Sequence, residues 1–290
     1  METIRTVEWM KQVAQQARSE GCLLGLVPTM GALHEGHLSL IRAAQRECSP
    51  VVVSIFVNPK QFGPGEDLKK YPRPIQTDRA LLETLGVEYL FAPPPEEIYP
   101  PGFGTYVDVD DLGKRLEGRS RPGHFRGVAT VVMKLLEITQ PHIAYFGRKD
   151  AQQARIIRQL VADLNLDARV EVCPIVREAD GLAMSSRNAY LGAEERRAAT
   201  SLYRALDQAR RAIERGERAT APLVAAIRRV LDAEPLATVD YAEIVDAETF
   251  EPAAGLSGSC LALVAVFFGA TRLIDNLLIE KDDDRFRVTL

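Results

Sequence analysis

Two of the chain's four histidines, His34 and His37, fall inside one decapeptide, PTMGALHEGH, from Pro28 to His37. That spacing puts both rings on one face if a helix begins near Leu33, and Gly36 leaves the face uncrowded. Imidazoles beside a helix N-terminus can donate hydrogen bonds to phosphate oxygens, and those bonds strengthen as charge builds on a departing pyrophosphate. For a lone histidine, capping the helix or packing on a sheet is the ordinary role. Two in register among glycines favour nucleotidyl transfer of the HxGH kind. Zinc is the competing chemistry, but HEGH is one residue short of the HExxH spacing, and no cysteine or third histidine lies nearby.

A second cluster is YFGRKDAQQ, Tyr145 to Gln153. Gly147 lets the backbone approach a ligand, and Lys149 offers a compact positive charge suited to phosphate. Gln153 follows one helical turn later. A third is VREADGLAMSSRN, Val176 to Asn188, where Asp180 and Gly181 mark a turn and Met184, Ser185, Ser186 and Arg187 follow. Two hydroxyls and a guanidinium suit a triphosphate, and such a loop can close over phosphates after they bind. Taken singly, GRKD also reads as a charged turn and SSRN as a helix cap.

The elements around these clusters must be strands feeding helices. Cys22 to Val27 is a short apolar run suited to a buried parallel strand, Leu38, Leu40, Ile41 and Ala44 recur at helical spacing, and VVVSIFV follows from Val51. Strand, loop, helix and strand make a βαβ unit, whose first loop opens at the carboxyl edge of the sheet beside free helix N–H groups that attract anions. The second cluster likewise follows an apolar stretch, His142 to Phe146. Helical patterns at Ile75 to Leu85, Gly127 to Thr139 and Ala151 to Leu164 continue the alternation. The fold expected is α/β, a Rossmann-like doubly wound parallel sheet.

After Asn188 the texture changes. Two long polar helices, Ala193 to Arg215 and Thr220 to Ala233, precede strands near Val239 to Val245, Leu261 to Phe267 and Arg272 to Leu278. This predicts a smaller C-terminal α+β lid domain over residues 181–290, with a nucleotide- and acid-binding domain over 1–180 and substrate between the two. Ala92 to Pro101 reads as surface loop near a dimer contact, and the terminal KDDDRFRVTL as an exposed tail.

In order along the chain, PTMGALHEGH, NPKQF (Asn58 to Phe62), YPR (Tyr71 to Arg73), RPGHFRGVATVV (Arg121 to Val132), YFGRKDAQQ and VREADGLAMSSRN resemble the pantothenate synthetase family. TRLIDN, Thr271 to Asn276, extends the resemblance less specifically. The resemblance implies that pantoate, β-alanine and ATP give pantothenate, AMP and pyrophosphate through an enzyme-bound pantoyl adenylate. It also implies Mg²⁺ and a homodimer. Residue by residue, Met30, Gly31, Ala32, Leu33, His34, Glu35, Gly36 and His37 match the segment that surrounds ATP. His37 takes the position of proton donor and His34 that of its phosphate-binding neighbour. Gly147, Arg148, Lys149 and Asp150 match a second ATP segment, and Val176, Met184, Ser185, Ser186 and Arg187 the remaining nucleotide contacts. Lys149, Ser185, Ser186 and Arg187 are counted with the two histidines as catalytic. Gln61 and Gln153 match the pantoate positions, and Asp78 an acidic position linked to Mg²⁺.

The glutamines make chemical sense. The acid's carboxylate must attack phosphorus, and a bidentate arginine would occupy the lone pairs it needs, whereas amides can grip hydroxyl groups and leave it unencumbered. For Gln61 the alternative is a turn residue after Pro59.

Composition sets the outer bounds. A formal charge of -4 over 290 residues offers no broad basic field for a polyanion, which disfavours tRNA and with it the class I aminoacyl-tRNA synthetases that share HxGH chemistry. The arginines of Glu194 to Arg218 alternate with glutamates and alanines, as on a solvated helix face. The longest apolar run, Cys260 to Phe268, is too short to span a membrane. Cys22, Cys48, Cys173 and Cys260 lack metal or redox spacing, so reduced thiols and a cytoplasmic setting are expected. Two other functions remain open at this level: transfer of AMP onto a phosphate-bearing acceptor, and a non-catalytic nucleotide sensor.

Overall fold

In the computed structural model, which describes residues 1–283 and 285–290, the chain divides into two compact units. The first holds Met1–Arg148 and Gln152–Pro174, the second Lys149–Ala151 and Ile175–Leu290.

The first unit is built on a parallel sheet of β1 (Glu2–Ile4), β2 (Gly25–Thr29), β3 (Val51–Ile55), β4 (Tyr89–Phe91), β5 (Ile143–Gly147) and β6 (Arg169–Cys173), in the order β1-β4-β3-β2-β5-β6. Its helices are α1 (Val7–Ser19), α2 (Glu35–Glu47), α3 (Ile75–Thr84), α4 (Pro95–Ile98), α5 (Glu117–Ser120), α6 (His124–Thr139) and α7 (Ala151–Asp163). Both faces of the sheet are covered, which is why its strands read as apolar runs rather than as alternation. Leu26, Val52, Ala144 and Phe146 pack into a core with α1, α6 and α7, while Val27, Val51, Val53, Ile143 and Tyr145 pack with α2 and α3.

The winding reverses between β2 and β5. Chain order runs outward from β2 through β3 to β4 and then returns to β5 on β2's other side. At such a switch point the loops leaving the two central strands part to opposite faces and open a crevice at the carboxyl edge. The loop after β2 carries the histidine pair.

The second unit holds an antiparallel sheet in the order β10-β9-β8-β7, made by β7 (Ala237–Asp246), β8 (Cys260–Phe268), β9 (Thr271–Asp282) and β10 (Arg285–Thr289). Helices α8 (Ala193–Ala198), α9 (Ser201–Glu214) and α10 (Thr220–Asp232) accompany it. Leu202, Leu206 and Ile213 of α9 and Leu223, Ile227 and Leu231 of α10 share its core with Ile244, Val264 and Phe268.

Three expectations need correction. The terminal residues are not an exposed tail: Arg285–Thr289 pair with β9, because Phe286, Val288 and Leu290 alternate and pack against the second core. Ala92 to Pro101 is not simply surface loop. It contains α4, whose Ile98 is fully buried and whose Glu97 Oε2 accepts a 2.8 Å hydrogen bond from Val7 N at the start of α1. The helix expected over Ala193 to Arg215 is broken into α8 and α9. There both the hydroxyl and the N–H of Thr200 donate to the Arg197 carbonyl, competing with regular helical pairing.

Candidate active site

Helix α2 begins at Glu35 rather than Leu33, so His34 is its N-cap and His37 its third residue. Nδ1 of His34 accepts from Gly36 N at 3.2 Å, and Nδ1 of His37 accepts from His34 N at 3.4 Å. The pair forms a capping box, a motif usually made by a hydroxyl and a carboxylate or amide. The ring centroids lie 4.1 Å apart. An imidazole whose Nδ1 accepts carries its neutral-state proton on Nε2. Capping and phosphate chemistry, competing readings in the sequence, are here compatible uses of opposite ring nitrogens.

The loop before the helix is equally committed. Gly31 and Ala32 both have positive φ, 81° and 51°, a conformation that glycine adopts readily and alanine only under constraint. The constraint comes from Asp78 in the first turn of α3. Its carboxylate is 1% exposed and accepts from Ala32 N and Leu33 N, each at 2.8 Å. Gly31 N donates to Thr29 Oγ1 at 3.1 Å. The backbone N–H groups expected to receive an anion are thus largely taken by Asp78, Thr29 and the two imidazoles.

Gln61 sits at the end of a 3-10 turn, Pro59–Gln61, and is 9% exposed. Its Oε1 accepts from Asn58 Nδ2 at 3.0 Å, and its Nε2 donates to Met30 Sδ at 3.2 Å. Asn58 is held in turn: its Nδ2 donates to the Gly127 carbonyl at 3.0 Å and its Oδ1 accepts from the Tyr99 hydroxyl at 2.8 Å. Burial pushes the Tyr99 phenol up, so it stays a donor. From below, His124 Nδ1 donates to the Gln61 carbonyl at 2.9 Å, while its Nε2 accepts from Arg121 at 3.0 Å. Arg121 also donates to Glu66 from Nε and Nη2, at 2.9 and 2.7 Å. Burial opposes ionisation of Glu66, yet the hydrogen bonds from Arg121 keep its carboxyl below the ordinary range.

Burial, with Arg121 adding to it, lowers His124 from 6.5 to about 4. A base depressed in the folded state takes up its proton more readily when unfolded, so stability rises with pH between those two values. At 1.36 kcal/mol per unit the contribution is roughly 3 kcal/mol, fully present above 6.5 and lost as pH falls toward 4. The melting temperature should fall across that window, and His124→Gln, which keeps a donor and an acceptor without titrating, should flatten the slope. An unchanged slope in the variant would assign the acid sensitivity elsewhere.

The remaining expected positions fall as follows. Gly147 closes β5, Arg148 opens the turn after it, and Gln153 is half-buried on α7. In the second unit, Lys149 Nζ lies 3.7 Å from Asp150 Oδ1. Val176 and Met184 are brought together by a Met184 N to Val176 O bond of 3.0 Å, and Ser185 Oγ accepts from Arg187 N at 3.3 Å. Between them the turn is clamped. Arg177 donates to Asp275 at 2.7 and 3.0 Å and to the Gly181 carbonyl at 3.0 Å, and Arg196 bridges Glu178 and Asp180. Gly181, at φ 92°, leaves no room for a Cβ, which would lie 2.4 Å from the Tyr203 ring.

The supporting residues Asn58, Tyr99, Glu66, Arg121, His124, Arg177 and Asp275 were not singled out as site residues from sequence. For Asp275 and Asn276 a signal existed: an acid and an amide interrupt the apolar stretch from Leu273 to Ile279, where burial without a partner is costly.

A parallel sheet wound on both faces, with a histidine capping box at its switch point, defines a Rossmann-like α/β protein. The more particular assignment comes from comparison with known proteins. The Pantoate-beta-alanine ligase family model matches residues 2–278. The chain is 57% identical over 256 residues to the pantothenate synthetase of Roseiflexus sp. (strain RS-1), covering 88% of this chain and 92% of that protein. The crystal structure of pantothenate synthetase from Thermus thermophilus matches with a TM-score of 0.91 at 47% identity, covering 96% of this chain and 99% of the other. Pantoate-beta-alanine ligase from Francisella tularensis, complexed with beta-gamma ATP and beta-alanine, matches with a TM-score of 0.78 at 36% identity over 96% and 97% of the two chains. The chain belongs to the pantoate–β-alanine ligase family, ATP-binding ligases of pantothenate biosynthesis.

Proposed function

We propose that the protein joins pantoate to β-alanine in two steps at the expense of ATP. In the first, the pantoate carboxylate attacks the α-phosphorus, the bond to the β-phosphate oxygen breaks, and pantoyl adenylate and pyrophosphate form. In the second, the β-alanine amine attacks the acyl carbon, loses a proton, and expels AMP. The observation that carries this reading is the histidine capping box at the sheet's switch point: both Nδ1 atoms accept backbone N–H groups, so a neutral ring would carry its proton on Nε2, the donor suited to the charge that grows on a leaving pyrophosphate.

The other roles follow from chemistry and family resemblance. Met30 to Leu33, Glu35, Gly36, Gly147, Arg148, Asp150, Val176 and Met184 surround the nucleotide. Lys149, Ser185, Ser186 and Arg187 supply positive charge and hydroxyl donors to the phosphates. Gln61 and Gln153 hold pantoate. The ligands named for the Francisella tularensis complex support ATP and β-alanine as substrates. Mg²⁺, when bound, would neutralise phosphate charge. Asp78, the acidic residue that the resemblance links to the cation, accepts backbone N–H groups with both oxygens, so it would hold the loop beside such a cation. We further propose a homodimer working in the cytoplasm. Among the described residues no helix is long and apolar enough to cross a membrane.

Pantoate alone should support exchange of labelled pyrophosphate into ATP, because adenylate formation is reversible before the amine arrives. A strict requirement for β-alanine would sink the intermediate. A dinucleotide-like product would point to a plain transferase, and binding without turnover to a sensor.

The amide of Gln61 should select the acid. Gln61→Ala should weaken pantoate binding by about 1 to 3 kcal/mol, the cost of an unpaired polar partner, with ATP affinity changed much less. Titration calorimetry with each ligand decides. Parallel loss of both affinities together with early melting would mark Gln61 as a turn residue only.

A further inference from the structure

Strand β9 carries adjacent polar residues, Asp275 and Asn276, that are 1% and 0% exposed. Asp275 shares the strand face of Leu273, Leu277 and Ile279, and is occupied by Arg177. Asn276 points to the opposite face. Its Nδ2 donates to the carbonyl oxygen of Lys149 at 3.0 Å. An interior strand is a rigid mount: Asn276 is in register with Leu263 of β8, and β10 pairs along β9 from Leu278 onward.

Lys149 stands in a single 3-10 turn, Arg148–Asp150, with α7 starting immediately after. Its carbonyl belongs to the peptide joining it to Asp150, so a bond to that oxygen fixes the plane from which both side chains depart. A lysine is a point charge on a long, flexible stem, and fixing its root narrows where the ammonium can go. A buried amide spent on a single-turn carbonyl, rather than an apolar residue packed in its place, needs a reason, since desolvating an amide offsets most of what its hydrogen bond contributes.

We propose that Asn276 is a positioning residue for Lys149, holding its peptide so that the ammonium meets the ATP phosphates. The proposal rests on the reading of Lys149 as an ATP-binding group.

The test is a double-mutant cycle in the full chain, read by pantoate-dependent pyrophosphate exchange as a function of ATP. Asn276→Ala should lower kcat/KM for ATP by up to about 10²-fold, the cost of displacing a catalytic group by about 1 Å, with the KM for β-alanine unchanged. In the Lys149→Ala background the same substitution should cost no more than about twofold, the usual error of additivity. Equal losses in both backgrounds, or no loss in the intact protein, would overturn it. Should Asn276→Ala fail to fold, Asn276→Leu, close in size and without the N–H, takes its place with the same expected pattern. If Lys149→Ala alone exchanges at the parent rate, the reading of Lys149 fails, and the positioning role fails with it by a distinguishable result.

Discussion

His37→Ala should lower the rate of adenylate formation by roughly 10² or more, the loss expected when one preorganised transition-state donor is removed. The substitution removes two things, because His37 also accepts the His34 N–H in the capping box. Losing that cap costs about 1 kcal/mol of helix stability, and by itself would cost some activity through disorder of His34. His37→Gln separates the two. Glutamine is a regular third residue of a capping box and restores the acceptor, but its amide N–H, unlike an imidazole, has no proton to transfer. The expected result is a melting temperature close to the parent with exchange still depressed by roughly 10². Recovery of turnover in the glutamine variant would reduce His37 to a cap and remove it from the chemistry.

The largest expected effect on stability belongs to the clamp in the second unit. Arg177→Met leaves the Asp275 carboxylate, whose side chain is 0% exposed, without its cation. Breaking a buried pair by removing one partner costs about 3 to 5 kcal/mol, whereas replacing both with apolar residues of similar volume is often neutral. Calorimetry should therefore show Arg177→Met melting well below the parent, by on the order of 10 °C at the 2–4 °C per kcal/mol typical of domains of this size. The double variant Arg177→Met/Asp275→Leu should recover most of the loss. Its activity should not recover, since the Gly181 carbonyl, at 3.0 Å from Arg177, loses its donor in both proteins. A single variant melting within a degree or two of the parent would show the pair to be solvated in solution.

How far the sequence disclosed this arrangement depends on chain distance. The βαβ unit around PTMGALHEGH was legible because strand, cap and helix signals are local, and the apolar runs of β2, β3 and β5 follow from burial on both faces. The division of labour inside the loop was not. Asp78 lies 45 and 46 residues from the N–H groups it receives, and nothing local to Asp78 announces that pairing. His124 reaches Gln61 across 63 residues in the same way. The terminal hairpin was missed for a different reason: its charges read as solvent-seeking, and the alternation of Phe286, Val288 and Leu290 is short enough to be outweighed by them. Polar residues whose partners are remote in the chain are where periodicity has least to say.

The capping box also dictates proton traffic. A histidine with both nitrogens open can take a proton at one edge of the ring and deliver it from the other, as a relay does. His37 cannot, because its Nδ1 faces the His34 N–H. On the proposed role, a proton given to a departing pyrophosphate would leave from Nε2, and the replacement would return to that same atom. The ring would then work as a single-port donor, and its recharging would wait until the product it had just served moved aside.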